Sequence, residues 1–204
     1  MGLEDYRRSV SEAKHASILK AGRQVFLRDG FSRAAVAEIA RDADVSTATL
    51  YKHFASKEDL FAAVVLDAVS RVEDISDLEG SEASFAETLV TIGRTYLANQ
   101  FSGRANDLMR IVIGESTTNP HLATETLHVL TERRRQRLVL LFDQLVARGV
   151  MKPNNTELSA QLISGMIKEL FVWPALFDTS VKLPADTDEK LHAIANIFLA
   201  RYAA

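Results

Sequence analysis

An all-α fold is predicted by three features of this 204-residue chain. Apolar residues recur at i, i+3, i+4 and i+7 in one segment after another, the spacing that gathers them on one helical face. No stretch alternates apolar and polar residues as a half-buried strand does, and no internal repeat or low-complexity tract interrupts the pattern. Breaks marked by serine, glycine and proline cut the chain into pieces of helical length. The expected architecture is a three-helix, helix-turn-helix head over residues 1–57 and a larger helical body over residues 58–204.

Residues 1–8 are expected to form a polar arm, with Arg7 and Arg8 as its cations. Ser9-Val10-Ser11-Glu12 has the form of a capping box and opens a helix to about Asp29. Its inner face is Ile18, Leu19, Gly22, Val25 and Phe26, and Gly30 ends it. Val36, Ile39, Ala40 and Ala43 then mark the inner face of a second helix. Asp44 tolerates the left-handed backbone of a tight turn, and Ser46 is a natural N-cap for a third helix, from Thr47 to about Phe54. Leu50 and Phe54 form its apolar pair and leave Thr47, Thr49, Lys52 and His53 pointing outward. Two short helices joined in this way, the second polar outside, form a helix-turn-helix.

Residues 31–60 resemble the DNA-binding signature of the TetR family of transcriptional regulators. The matching pieces are Gly30-Phe31, Val36, Glu38-Ile39-Ala40, Ala43, Val45-Ser46, Thr49-Leu50-Tyr51, His53-Phe54 and Ser56-Lys57-Glu58-Asp59-Leu60. The chain departs from the family pattern at Ala34-Ala35, where two hydroxyl residues are usual, and at Asp44 and Ala48, where glycines are. Loss of the hydroxyls leaves Ser32 or Arg33 to contact a phosphate. The resemblance implies that Lys52 and Lys57 neutralise phosphates and that Tyr51 and His53 anchor the helix to the backbone. Thr47, Ala48 and Thr49 would then face base edges.

Ser56-Lys57-Glu58-Asp59 starts a fourth helix, with apolar positions from Leu60 through Val72 and Ile75 to about Leu78 and a turn at Gly80-Ser81. Ser84 to about Gln100 is a fifth, punctuated by Gly103, and Leu108 to Glu115 a shorter sixth. Pro120 suits the first turn of the next, which is expected to run to Gly149 with a possible interruption near Leu130. Its basic run, Glu132 to Arg137, is taken as a solvated face with intrahelical ion pairs. After the turn at Pro153-Asn154-Asn155 come two closing helices, Thr156 to about Phe177 and Asp188 to Tyr202. Their apolar stripes are wider than one core-facing side requires. A homodimer is therefore expected through Leu162, Met166, Leu170, Ile194, Ile197 and Phe198.

The body also resembles the AcrR-like and AefR-like branch of the same family, at Ile111-Val112-Ile113-Gly114-Glu115 to Pro120 and at Phe171-Val172-Trp173-Pro174-Ala175-Leu176-Phe177. That implies a dimer-forming, ligand-responsive C-terminal part. Ile92, Tyr96, Met109, Ile113, Phe142, Met166 and Trp173 are the residues expected to line its cavity, although each taken alone reads more readily as ordinary core. The expected function is a DNA-binding repressor on a palindromic operator, released by a small apolar or aromatic effector.

Composition agrees. The net charge is −3, yet residues 1–57 carry ten Lys and Arg against seven Asp and Glu, a balance of +3 on an acidic body. With no cysteine, disulfides and thiolate metal sites are excluded. No apolar run approaches the ~20 residues that span a bilayer, and no signal core precedes the first helix, so a cytoplasmic location is expected. Neither a metal nor a cofactor is expected. The rival reading is an all-α enzyme or carrier, sharpest as a di-iron bundle using the Glu-x-x-His pairs Glu12/His15, Glu125/His128 and Glu189/His192. A third is an interaction module without DNA binding.

Overall fold

The computed structural model describes residues 3–70, 83–102 and 104–204. Its helices are α1 (Leu3–Arg33), α2 (Val36–Asp42), α3 (Thr47–His53), α4 (Lys57–Ser70), α5 (Phe85–Ser102), α6 (Ala105–Glu115), α7 (Pro120–Ala147), α8 (Thr156–Ile167), α9 (Trp173–Phe177) and α10 (Thr187–Tyr202). Among the described residues there is no strand, only an isolated antiparallel bridge between Met151 and Ala203. The continuation of α4 through Val72 and Ile75, the Gly80-Ser81 turn and the Gly103 break lie outside the described residues.

The chain divides into two compact units, Met1–Ala68 with Asp107–Leu127, and Val69–Asn106 with His128–Ala204. The first is larger than a head of residues 1–57, because it takes in most of α4 and α6 and the start of α7.

In the first unit, α1 begins at Leu3 rather than Ser9. Nothing in the sequence between them breaks a helix. At Gly30 the backbone leaves the helix with φ 76° and ψ 178°, a region essentially confined to glycine, and the space around it is open. Ile18, Val25, Phe26, Ile39, Leu50, Leu60, Phe61 and Val64 are fully buried. The Phe26 and Phe61 rings meet edge to face at 5.0 Å, and an Arg23–Asp67 ion pair ties α1 to α4.

The turn after α2 takes the form expected for it. Asp44 has φ 55°, its N–H donates to the Arg41 carbonyl, and the Val45 N–H donates to the Ala40 carbonyl. These are the two hydrogen bonds of a Schellman end. The start of α2 is weaker, since its N-cap is Ala35 and no side chain bonds the first turn. Restoring a hydroxyl there, as Ala35→Ser, is expected to raise the stability of the head by about 1 kcal/mol. A chemical denaturation midpoint that did not move would show that water already serves those N–H groups.

The second unit is built on α5, the later part of α7, α8 and α10. Ser84 caps α5 reciprocally with Glu87: each side chain accepts the other's backbone N–H, at 3.3 and 2.9 Å. Its core holds Leu89, Leu97, Leu141, Phe142, Ile163, Phe171, Leu191, Ile194 and Phe198. Helices α5 and α10 approach so closely at Gly93 that a Cβ there would stand 2.5 Å from Leu191 Cδ2. Helix α7 is continuous, with no break near Leu130, and ends at Ala147, two residues before Gly149 turns left-handed with φ 70°.

The single helix expected over Thr156–Phe177 is three pieces. Between α8 and α9, Lys168–Val172 widens into a π turn, and the Trp173 N–H reaches back to the Lys168 carbonyl. Pro174 has no N–H to give the Leu170 carbonyl, so the regular ladder cannot continue there.

Candidate nucleic-acid interface

Helix α3 is held from below and presented from above. Leu50 is wholly buried and Phe54 nearly so, which fixes the roll of a seven-residue helix that could not persist alone. The Ser46 hydroxyl accepts the Thr49 N–H at 3.1 Å, and the Thr49 hydroxyl lies 2.8 Å from it. Thr47, Ala48, Tyr51 and Lys52 are exposed; Thr49 and His53 are half-buried. The Thr49 hydroxyl is thus engaged in the cap, which leaves Thr47 and Ala48 as the exposed residues at this end of the helix.

His53 is less of a cation than its position suggests. Its ring lies 5.8 Å from that of His15, and burial, then the charges of His15 and Lys14, hold its pKa below the ordinary histidine value. At neutral pH its ring is neutral and keeps one N–H to donate.

Ser32 and Lys57 lie together in a network within the first unit that ends on Glu115. The Lys57 ammonium donates to the Ser32 carbonyl at 3.2 Å and sits 4.7 Å above the Phe31 ring. Burial foremost pushes its pKa down, against the fields of Glu58 and Glu115. The Ser32 hydroxyl donates to Glu115 at 3.0 Å, and Arg33 Nε donates to the Asp29 carbonyl at 3.1 Å. Glu115 also accepts from Thr118 at 3.1 Å and Asn119 at 2.5 Å. Burial alone would raise its carboxyl, but the bonds from Asn119, Ser32 and Thr118 outweigh that and hold it low. Glu115 had no role assigned from sequence. Only its place at the end of α6, beside two small polar residues, hints at one.

In the second unit, a cleft with about 50 Å³ of free volume lies between α5, α7 and α8. Ile92, Thr95, Tyr96, Leu138, Ile163, Ser164 and Ile167 line it, with Arg134 and Arg137. Of the residues expected to line a cavity, Ile92 and Tyr96 are here. Phe142 is wholly buried in the core and Met166 packs against that core. Trp173 is exposed and stacks on Phe177 at 6.1 Å. Met109 and Ile113 belong to the first unit, on α6.

The basic run of α7 is correspondingly split. Arg135 pairs with Glu132 at 2.5 Å, as an intrahelical ion pair should, and also with Glu157. Arg134 and Arg137 instead stand on the cleft wall. The signal was in the spacing, since they precede Leu138 by four and one residues and Leu141 by seven and four.

The dimer residues also divide. Leu162, Leu170 and Ile197 are exposed, whereas Ile194 and Phe198 are buried core residues. The core side of α10 is Leu191, Ile194, Ala195 and Phe198, so the outward apolar stripe is Ala193, Ile197 and Ala200. The Glu-x-x-His pairs do not converge on a core, because Glu12, His15, Glu125, His128, Glu189 and His192 are all exposed. That removes the inward-facing ligand set a di-iron bundle requires. No described helix is long and apolar enough to cross a membrane.

A capped recognition helix on a three-helix head, followed by an all-helical second unit, defines a helix-turn-helix transcription factor. The model of bacterial regulatory proteins of the tetR family matches residues 18–64, and that of the AefR-like transcriptional repressor C-terminal domain matches residues 87–204. The chain belongs to the TetR family of transcriptional regulators and is a DNA-binding regulator. It is 29% identical over 162 residues to the uncharacterized HTH-type transcriptional regulator YdeS of Bacillus subtilis, covering 78% of this chain and 79% of that one. A putative TetR-family regulator from Mesorhizobium loti superposes with a TM-score of 0.81 at 28% identity, over 95% of this chain and 98% of its own. The flavonoid-responsive regulator FrrA superposes with a TM-score of 0.71 at 25% identity, over 93% and 97%.

Proposed function

We propose that the protein is a homodimeric repressor that holds a palindromic operator with two copies of α3 and is released when a small apolar or aromatic molecule enters the cleft of the second unit. It acts in the cytoplasm and has no catalytic activity of its own. The observation that carries the DNA reading is α3 itself, with its anchor at Leu50 and Phe54, its cap at Ser46 and its exposed face at Thr47, Ala48, Tyr51 and Lys52. A second copy is the fitting occupant of the exposed stripes on α8 (Leu158, Leu162) and α10 (Ile197), since a two-fold pair buries the same apolar patch on both copies.

Release requires that the effector bind one arrangement of the protein better than the other. Each tenfold loss of operator affinity needs about 1.4 kcal/mol of that preference. A ligand indifferent to the two arrangements would change nothing. That FrrA is flavonoid-responsive supports an aromatic effector, as does a cleft walled by Tyr96 and four aliphatic side chains. Helices α4, α6 and α7 each run from one compact unit into the other along the chain, and they are the connections through which such a preference would reach the head.

Fluorescence anisotropy on DNA from upstream of the gene tests the first half. Tight binding that falls steeply with salt is expected, and Lys52→Ala should weaken every sequence alike and flatten the salt slope by about one. Binding indifferent to salt, or no binding at all, would leave the interaction-module reading in its place. Lys57→Ala makes a poorer probe, because that ammonium also braces Ser32 and Phe31.

A further inference from the structure

Two buried amides adjoin on α5 and differ in one respect. Gln100 is 4% exposed, and its Nε2 donates to Asn106 Oδ1 at 2.7 Å. Asn99 is 3% exposed, yet its Nδ2 meets no hydrogen-bond partner among the described residues. A buried N–H group left unpaired costs free energy that a partner restores, and nearly all such groups in folded proteins have one. The position of Asn99 shows where a partner has access. On α5 the cleft of the second unit is lined by Ile92, Thr95 and Tyr96. Asn99 follows Thr95 by four residues and Tyr96 by three, on the same face of the helix and one turn further on. Both arginines of the cleft wall are engaged in interactions of their own, Arg134 with the Tyr96 ring at 4.5 Å. The unpaired donor beside the cleft is therefore an uncharged amide, and its complement is an acceptor oxygen. A charged oxygen is costly to bury, whereas a carbonyl oxygen needs only the donor.

Resting on the effector reading above, we propose that the effector is an uncharged carbonyl compound, its oxygen accepting from Asn99 Nδ2 and its alkyl or aromatic part laid against Ile92, Leu138, Ile163 and Ile167. A free volume of about 50 Å³ is small beside the ~300 Å³ or more of a typical ligand pocket. Such a molecule must therefore part α5, α7 and α8 to enter. Entry itself then selects a more open arrangement of the second unit, which is the differential affinity that release demands.

The test is titration calorimetry on the full chain with ketones and the alkenes that replace C=O by C=CH2: acetophenone against 2-phenylpropene, and 1-phenylbutan-1-one against 2-phenyl-1-pentene. Water holds a carbonyl more strongly than an alkene, so a cleft without a donor favours the alkene. The wild-type chain is expected to bind at least one ketone with a Kd below about 1 mM, as tightly as its alkene or tighter. Asn99→Leu should swing that ratio about 10-fold or more toward the alkene. Asn99→Ala, which adds no bulk to the core, should swing it the same way. The infrared carbonyl stretch of the bound ketone should lie at lower frequency in the wild-type chain than in either variant. Ketones that do not bind, or that bind more weakly than their alkenes, would overturn the proposal. So would a ratio or a stretch that both variants leave unchanged. Adding each ketone to the operator-binding assay separates the two readings. A ketone that binds through Asn99 but leaves operator affinity unchanged confirms the role of the amide and removes the role of the cleft in release.

Discussion

Phe198→Ala is expected to cost the second unit about 3–5 kcal/mol, a large share of the ~5–15 kcal/mol that holds a typical domain folded. Phe198 is 1% exposed, and its ring centre lies 6.3 Å from that of Phe142 and 5.1 Å from that of Tyr202. Truncation removes these contacts and leaves a cavity in the core that Phe142 of α7 and Ile194 and Tyr202 of α10, each fixed on its own helix, cannot close over. The measurement is the chemical denaturation midpoint at one fixed protein concentration, since dimerisation would make stability depend on concentration. A loss below about 1 kcal/mol would mean that Phe198 faces a partner rather than the core.

Ile197→Asp, one residue away, is expected to leave a folded monomer whose operator affinity has fallen at least ~100-fold. Ile197 is 59% exposed, so an aspartate there stays solvated in the single chain. In a two-fold dimer the same patch is used by both copies, and one substitution brings two carboxylates to the seam. Separated heads lose the spacing of about one helical turn, ~34–36 Å, that lets two of them engage one palindrome together. Sedimentation and operator titration read the two consequences separately. A variant that sediments as a dimer at micromolar concentration would place the interface elsewhere, and a monomer with unimpaired operator affinity would break the link between pairing and DNA binding. The opposite outcomes at residues 197 and 198 follow from the 100° turn between neighbours on a helix.

Local chemistry was enough to determine the head from sequence. The left-handed Asp44, the Ser46 cap, the Gly30 end of α1 and the buried Leu50–Phe54 pair are each decided by a residue type and its immediate neighbours, and each stands where its spacing placed it. The AefR-like character of the second unit was also legible, in a short run of residues around Trp173-Pro174. The side of each wide apolar stripe that faces the core was not. Periodicity shows that a helix has two apolar sides but is blind to which one the neighbouring helix covers, so Ile194 and Phe198 were placed at the seam when the close approach of α10 to α5 at Gly93 buries them. The same blindness sorted Arg134 and Arg137 with the solvated Arg135, although packing sets them on a cleft wall between helices far apart in the chain. Glu115 became a hub only because folding carried it to Ser32, 83 residues away. What depends on a residue and its near neighbours was written in the sequence; what depends on which distant surface covers it was decided by the tertiary structure.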